Sequence, residues 1–166
     1  MKINVQHKHI WSFECYDKNG NLKWKEECKN LTTNVGLDDI LDKYWKGSAY
    51  TAAHYVGLTS GSPTTAAADT MSSHAGWTEI TDYSEATREA LTLGTVSSQS
   101  VDNSASKASF SINATATVGG AFCVTNSTKG GTTGTLVSVV AFTGGNKAVS
   151  SGDTLNVNVT LTNASA

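Results

Sequence analysis

Thr154-Leu155-Asn156-Val157-Asn158-Val159-Thr160-Leu161-Thr162 puts an aliphatic side chain at every second position. Successive side chains of a strand point to opposite faces, so this stretch predicts a strand with one buried face and one wet face. Ser151-Gly152-Asp153 ahead of it has turn chemistry. Working outward, residues 107–115 alternate Ala108, Phe110, Ile112 and Ala114, and Leu136 to Phe142 is the most apolar run of the chain. Gly119-Gly120 either breaks a strand or makes a bulge before residues 121–125 resume it. Short strands separated by Gly/Asn/Ser turns predict a mainly β chain folded as an antiparallel β-sandwich.

The N-terminal third predicts a long hairpin. Ile3, Val5, His7, His9, Trp11, Phe13 and Cys15 share one face of a first strand. Asn19-Gly20 is a strong two-residue hairpin signal, because both residues tolerate positive φ. Such a loop pairs Cys15 with Trp24 and Trp11 with Cys28, so the cysteines are out of register for a disulfide. Both are expected to be small buried hydrophobes.

One helix is expected. Leu37, Ile40, Leu41, Tyr44 and Trp45 fall at i, i+3, i+4, i+7 and i+8, with Asn34 as a possible cap and Gly47 as a stop. Its stripe is expected to lie across a sheet or to cover the end of the sandwich. Further strands are expected at residues 50–58, 77–83 and 91–96, with a long loop from Ser60 to Ala75 that holds Pro63, the only proline. The expected organisation is a single domain: residues 1–33 as hairpin or arm, 34–47 as helix, 48–166 as sandwich strands and loops.

Bulk properties narrow the function. Charged residues are 16% of the 166-residue chain, below the usual globular share. Residues 91–166 carry only Asp102, Lys107, Lys129, Lys147 and Asp153 as charged side chains. A net charge of −2 gives no electrostatic case for nucleic acid. No run approaches a membrane span, and the start of the chain shows no apolar leader, so production in a cytoplasm is expected.

The search for chemistry returns little. His7 and His9 share a face and would chelate a metal, but no third ligand is evident, so no metal or cofactor is expected. Residues 130–134 are glycine-rich but lack the Gly-Lys-Ser/Thr ending of a phosphate loop, and no Gly-x-Ser-x-Gly elbow occurs. Cys123 has no electropositive neighbour to activate it. Arg88, the sole arginine, suits bidentate pairing with a carboxylate of a neighbouring chain. Of the four tryptophans, at least three of Trp11, Trp24, Trp45 and Trp77 are expected in the core, with Trp77 beside the long loop as the interface candidate. No enzymatic activity is expected.

Residues 30–50 (Asn30-Leu31-Thr32-Thr33-Asn34-Val35-Gly36-Leu37 through Ser48-Ala49-Tyr50), Tyr55-Val56-Gly57-Leu58, Ala75-Gly76-Trp77-Thr78-Glu79, Gly119-Gly120-Ala121-Phe122 and Ser151-Gly152-Asp153-Thr154-Leu155 resemble a family of small virion proteins of tailed bacteriophages. The resemblance spans nearly the whole chain and is nearest to head decoration, or cement, proteins. It implies a jelly-roll-like sandwich bound to the outside of a capsid, with the major capsid protein and further copies of the chain, as dimer or trimer, for partners. Lys2, Ile3, Val5, Trp11, Pro63, Trp77 and Arg88 are the candidate interface residues, with the strand from Lys2 to Trp11 or the loop from Ser60 to Ala75 as the capsid-contacting arm. The competing expectation is a tail or fibre module that binds host glycan through Trp77, Tyr83 and the Gly/Thr loops.

Overall fold

A computed structural model describes residues 5–165. Two antiparallel sheets form a sandwich. The first sheet holds β1 (Val5–Tyr16), β2 (Leu22–Lys29), β7 (Ser100–Asp102), β8 (Ala108–Ser111) and β12 (Thr154–Ser165) in the order β2-β1-β12-β7, with β8 beside β7 on the same edge of β12. The second holds β3 (Leu31–Thr32), β4 (Tyr55–Ser60), β5 (Glu79–Ile80), β6 (Glu89–Ala90), β9 (Ala116–Val124), β10 (Leu136–Ala141) and β11 (Lys147–Val149). Its order is β3-β10-β9-β4-β5; β11 also pairs with β9, and β6 with β4.

The C-terminal alternation folds as read. Leu155, Val157 and Val159 are buried, and β12 pairs with all twelve residues of β1, from Val5↔Ser165 to Tyr16↔Thr154. The hairpin register matches from Ile10 to Cys15, with Cys15 facing Trp24 and Trp11 facing Cys28, but slips at Tyr16, which faces Leu22, so the loop is longer than the two-residue Asn19-Gly20 turn expected. Its turn closes on Asp17, whose carboxylate accepts from the backbone N–H of Asn19 and Asn21, while Gly20 takes φ +81°. All three cysteines are buried free thiols. Burial pushes Cys15 up to about 11 and Cys123 up to about 12, so neither is a nucleophile at neutral pH.

Between β7 and β8 the edge of β12 lacks a strand, and a side chain takes its place. Asn103 accepts from the Val159 N–H (2.6 Å) and donates to the Val157 carbonyl (3.2 Å), copying a backbone amide. A buried gap in a ladder would otherwise strand two polar groups.

Trp11, Phe13, Phe110, Leu155 and Val157 meet Val56, Leu58, Val118 and Val140 in the main core between the sheets. A second core lies on the outer face of the second sheet. Phe122, Val124, Leu136 and Val139 are covered there by Met71 and Trp77. The second sheet is therefore buried on both faces, so residues 118–124 are buried without interruption and show no alternation.

Several expectations are corrected. The loop from Ser60 is no free arm: Asp69, Met71 and Trp77 are buried against the second sheet, and the Trp77 indole donates to Asp69. The strand expected at 50–58 begins only at Tyr55, and the one at 77–83 shrinks to Glu79–Ile80. Residues 91–96 form no strand; Glu89–Ala90 pairs instead, and Val96 is exposed. Strand β8 stops at Ser111, short of Thr115. Gly119-Gly120 does not end β9, but the register against β4 slips there, with Thr59 opposite Gly120 and Ser60 opposite Val118, which is a bulge.

That bulge lets backbone approach backbone. A Cβ on Gly119 would sit 1.4 Å from the Gly61 carbonyl oxygen and 2.6 Å from Pro63 Cδ. Gly119→Ala is expected to lift the 61–78 loop off the sheet and to cost about 1–3 kcal/mol. A lowered urea midpoint with new protease cleavage within residues 61–78 would register it; a wild-type midpoint would contradict the packing.

The helix departs furthest from its reading. It begins at α1 (Asn34–Ile40), capped by Thr33 rather than Asn34, since the Thr33 hydroxyl accepts from Gly36 N–H and donates to the Leu136 carbonyl. Residues Leu41–Trp45 then continue as a π-helical turn, with Lys46 N–H bonded to the Leu41 carbonyl five residues back. The apolar stripe does not meet the sheet: Leu37, ahead of this turn, is already exposed, and Gly36 is the buried position of the helix. The helix touches β10 through Gly36, where a Cβ would lie 2.3 Å from the Val137 carbonyl oxygen. Gly47, at φ +74°, ends the turn as expected.

Candidate interaction surface

The stripe is left in water. Leu37 is 43% exposed, Leu41 57%, Tyr44 78% and Trp45 76%. The Tyr44 and Trp45 rings pack edge to face at 5.3 Å, and Tyr50 is exposed on the segment that follows. Behind this face the Asp42 carboxylate accepts from Lys43, Lys46 and Ser48. Those three bonds hold its pKa far below the usual carboxylate range, so Asp42 stays ionised and ties down the end of the turn. Between the helix and the open ends of β1 and β12 runs a groove of about 630 Å³, lined by His7, Leu37, Ile40, Leu41, Tyr44, Trp45 and Asn163. A second, smaller cavity of about 160 Å³ continues beneath Ile40 into the gap between the sheets.

The interface residues named from the sequence lie elsewhere. Lys2 and Ile3 are outside the described residues. Val5 opens β1, a strand paired on both sides over most of its length, so residues 5–11 are no free arm. Trp11 is fully buried in the main core. Pro63 is half-buried against Gly119. Trp77 is 4% exposed and stacks on His74 at 3.7 Å. The two tryptophans of interest have exchanged roles: Trp77 is core, and Trp45, assigned to the core by its helical spacing, is surface.

Arg88 does make the bidentate pair its chemistry suggested, but within its own chain. It is 1% exposed. Its Nε and Nη2 donate to the two carboxylate oxygens of Glu79 at 2.9 and 2.7 Å, and the remaining N–H groups reach the carbonyls of Asn126 and Gly131. The guanidinium also lies 5.1 Å above the Phe122 ring. Nearby, Lys129 donates to the carbonyls of Tyr83 and Glu85 and stands 4.3 Å over the Tyr83 ring. These two cations fasten the 125–135 loop to the 79–90 segment. Tyr83 is fully buried, so the glycan platform expected from Trp77 and Tyr83 is not present at the surface.

Among the described residues no group of three or more His, Cys, Asp or Glu side chains is arranged to hold a metal ion, and no helix is long and apolar enough to cross a membrane. No protein-family model matches the chain, and no curated protein and no solved structure matches it significantly. The likeness to virion proteins therefore rests on the sequence stretches quoted above.

Proposed function

We propose that this chain is a structural virion protein that binds the outside of an assembled capsid and fastens neighbouring capsomers, with the major capsid protein and further copies of itself as partners. The observation that carries the reading is the unburied apolar face of the helix. A short helix gains its stability from burying its stripe, yet Leu41, Tyr44 and Trp45 here face solvent. Tryptophan and tyrosine are the residue types that most often anchor protein interfaces. The low charge of the surrounding sandwich suits close packing among many copies, where each buried unpaired charge would be costly. A ligand that binds only the assembled shell stabilises it by mass action.

Protein added to heads that lack it is expected to bind and to raise their disruption temperature. The double variant Tyr44→Ser/Trp45→Ser is expected to keep the monomer's urea midpoint while binding at least ~30-fold more weakly, the loss of about 2 kcal/mol that one anchor residue supplies. Quantitative mass spectrometry of virions should find hundreds of copies. Wild-type protein that neither binds heads nor alters their stability would sink the proposal, as would a copy number of a few per particle.

A further inference from the structure

Where β1 and β12 end side by side, four side chains form one directed chain of hydrogen bonds, and Asn30 sets its direction. The Asn30 carbonyl oxygen accepts from the backbone N–H of His9 (3.2 Å), so its amide nitrogen is what faces His9 Nδ1 at 3.0 Å. An amide nitrogen only donates. His9 Nδ1 is thus an acceptor, which the Ser138 hydroxyl of the opposite sheet also approaches at 3.2 Å. The His9 proton must sit on Nε2, from which it is donated to His7 Nε2 at 2.7 Å. His7 in turn carries its proton on Nδ1 and donates it to the Asn163 side-chain oxygen at 2.6 Å. Each ring has one proton, and every ring nitrogen is engaged.

This arrangement argues against a metal between the rings. Chelation through both Nε2 atoms would move the His9 proton to Nδ1, where it would confront the Asn30 amine. It equally leaves no room for a second proton. A proton on His7 Nε2 would point at the His9 Nε2–H across 2.7 Å, donor against donor. The surroundings offer little relief for the added charge. The titratable groups of the adjoining 160 Å³ cavity are His7 and His9 on β1, His54 ahead of β4 and the Cys123 thiol on β9; Val159 and Leu161 of β12 and Val137 of β10 are apolar. On the helix side, Tyr44 borders the groove, and Asp39, Lys43 and Tyr50 line the neighbouring cleft together with His54. Burial, with His7 and His54 nearby, holds His9 down to about 3, so the buried ring stays neutral through mild acid.

We propose that the His9–His7–Asn163 chain is an acid-operated latch: protonation of His7 breaks its bond to His9 and frees the ends of β1 and β12 that floor the groove beneath the exposed helix face. The latch rests on its hydrogen bonds alone and is independent of what the helix face binds.

Long-range ¹H–¹⁵N spectra of the imidazoles on the isolated protein test it directly. At pH 8 the expected tautomers are Nε2–H for His9 and Nδ1–H for His7. On acidification from pH 8 to 4.5 the latch requires an imidazolium signal at His7 while His9 keeps a single proton, and strand ends that loosen with His7 still neutral would overturn it. Over the same range, amide exchange at residues 7–10 and 160–163, corrected for the intrinsic pH dependence, should accelerate at least tenfold while residues 13–15 stay protected. His7→Gln, whose side-chain oxygen still accepts from His9 Nε2, should reduce the acceleration to the part that His9 alone contributes. An Nδ1–H tautomer for His9 at pH 8, exchange at the strand ends that ignores pH, or an acceleration in His7→Gln as large as that of wild type would each overturn the latch. The wild-type tautomers decide the matter even if the variant folds poorly.

Discussion

Arg88→Met is expected to destabilise the fold by about 3–5 kcal/mol, as breaking a buried ion pair from one side does. Methionine approximates the stem of arginine but supplies none of the four donated hydrogen bonds. Glu79, whose side chain is only 8% exposed, would be left as a buried carboxylate with just the Gly130 N–H to stabilise it. The carbonyls of Asn126 and Gly131 would lose their donor as well. Since a domain of this size has a total stability of roughly 5–15 kcal/mol, the variant stands near the edge of folding at 37 °C. Arg88→Lys is not a rescue, because an ammonium cannot span both carboxylate oxygens and the two carbonyls. Urea unfolding checks the loss. The double variant Arg88→Met/Glu79→Leu should recover part of it, since removing both charges removes the desolvation penalty. A single variant within ~1 kcal/mol of wild type would show that the clamp does not bear on the fold.

Acid should destabilise the protein well before its carboxylates titrate. His9 has its folded pKa lowered from 6.5 to about 3, by burial first and by His7 and His54 next. Between those values the unfolded chain binds a proton that the folded chain refuses. Stability is then fully present above pH 6.5 and falls as pH drops, at up to about 1.4 kcal/mol per pH unit for this one group. From pH 6.5 to 5 the loss reaches about 2 kcal/mol from His9. His54, lowered by burial, adds in the same direction. Glu89, raised by burial and then by Glu85, works against it, because its folded form takes up a proton above the unfolded value of 4.5. Glu14, Asp17, Glu26 and Asp42, all lowered, contribute below that window because their unfolded values lie under 5. Urea midpoints at half-unit pH steps should show the decline, and His9→Gln should flatten it even though its starting stability is lower. A midpoint constant from pH 7 to 5 would refute the assignment.

The two β-rich ends of the chain were legible because their physics is local. An alternating strand needs only one buried face, and β12 and the first hairpin have that, so their period, register and buried cysteines follow from residue order. The middle was not legible for the opposite reason. Strands β4 and β9 are covered on both faces, one by the first sheet and the other by a loop whose seat is made by Gly119 and Trp77. Nothing in the loop's own residues announces that cover. The long strands expected around it shrink to two-residue pairings because neighbouring segments, not local propensity, supply their partners.

The surface followed the same division. Arginine's demand for a planar, bidentate acceptor was readable from its type; that the acceptor is Glu79 was decided by a chain reversal that brings residues 79, 88, 126 and 131 together. Helical spacing put Leu37, Leu41, Tyr44 and Trp45 on one stripe, and they do share a face of the groove. Residue order determined the sandwich class, the C-terminal strand, the hairpin register and the existence of an apolar helix stripe, because each depends on neighbours a few positions away. Only tertiary structure decided which way that stripe points, since the close seat of Gly36 on Val137 turns the glycine, not Leu37 and the residues in line with it, toward the sheet.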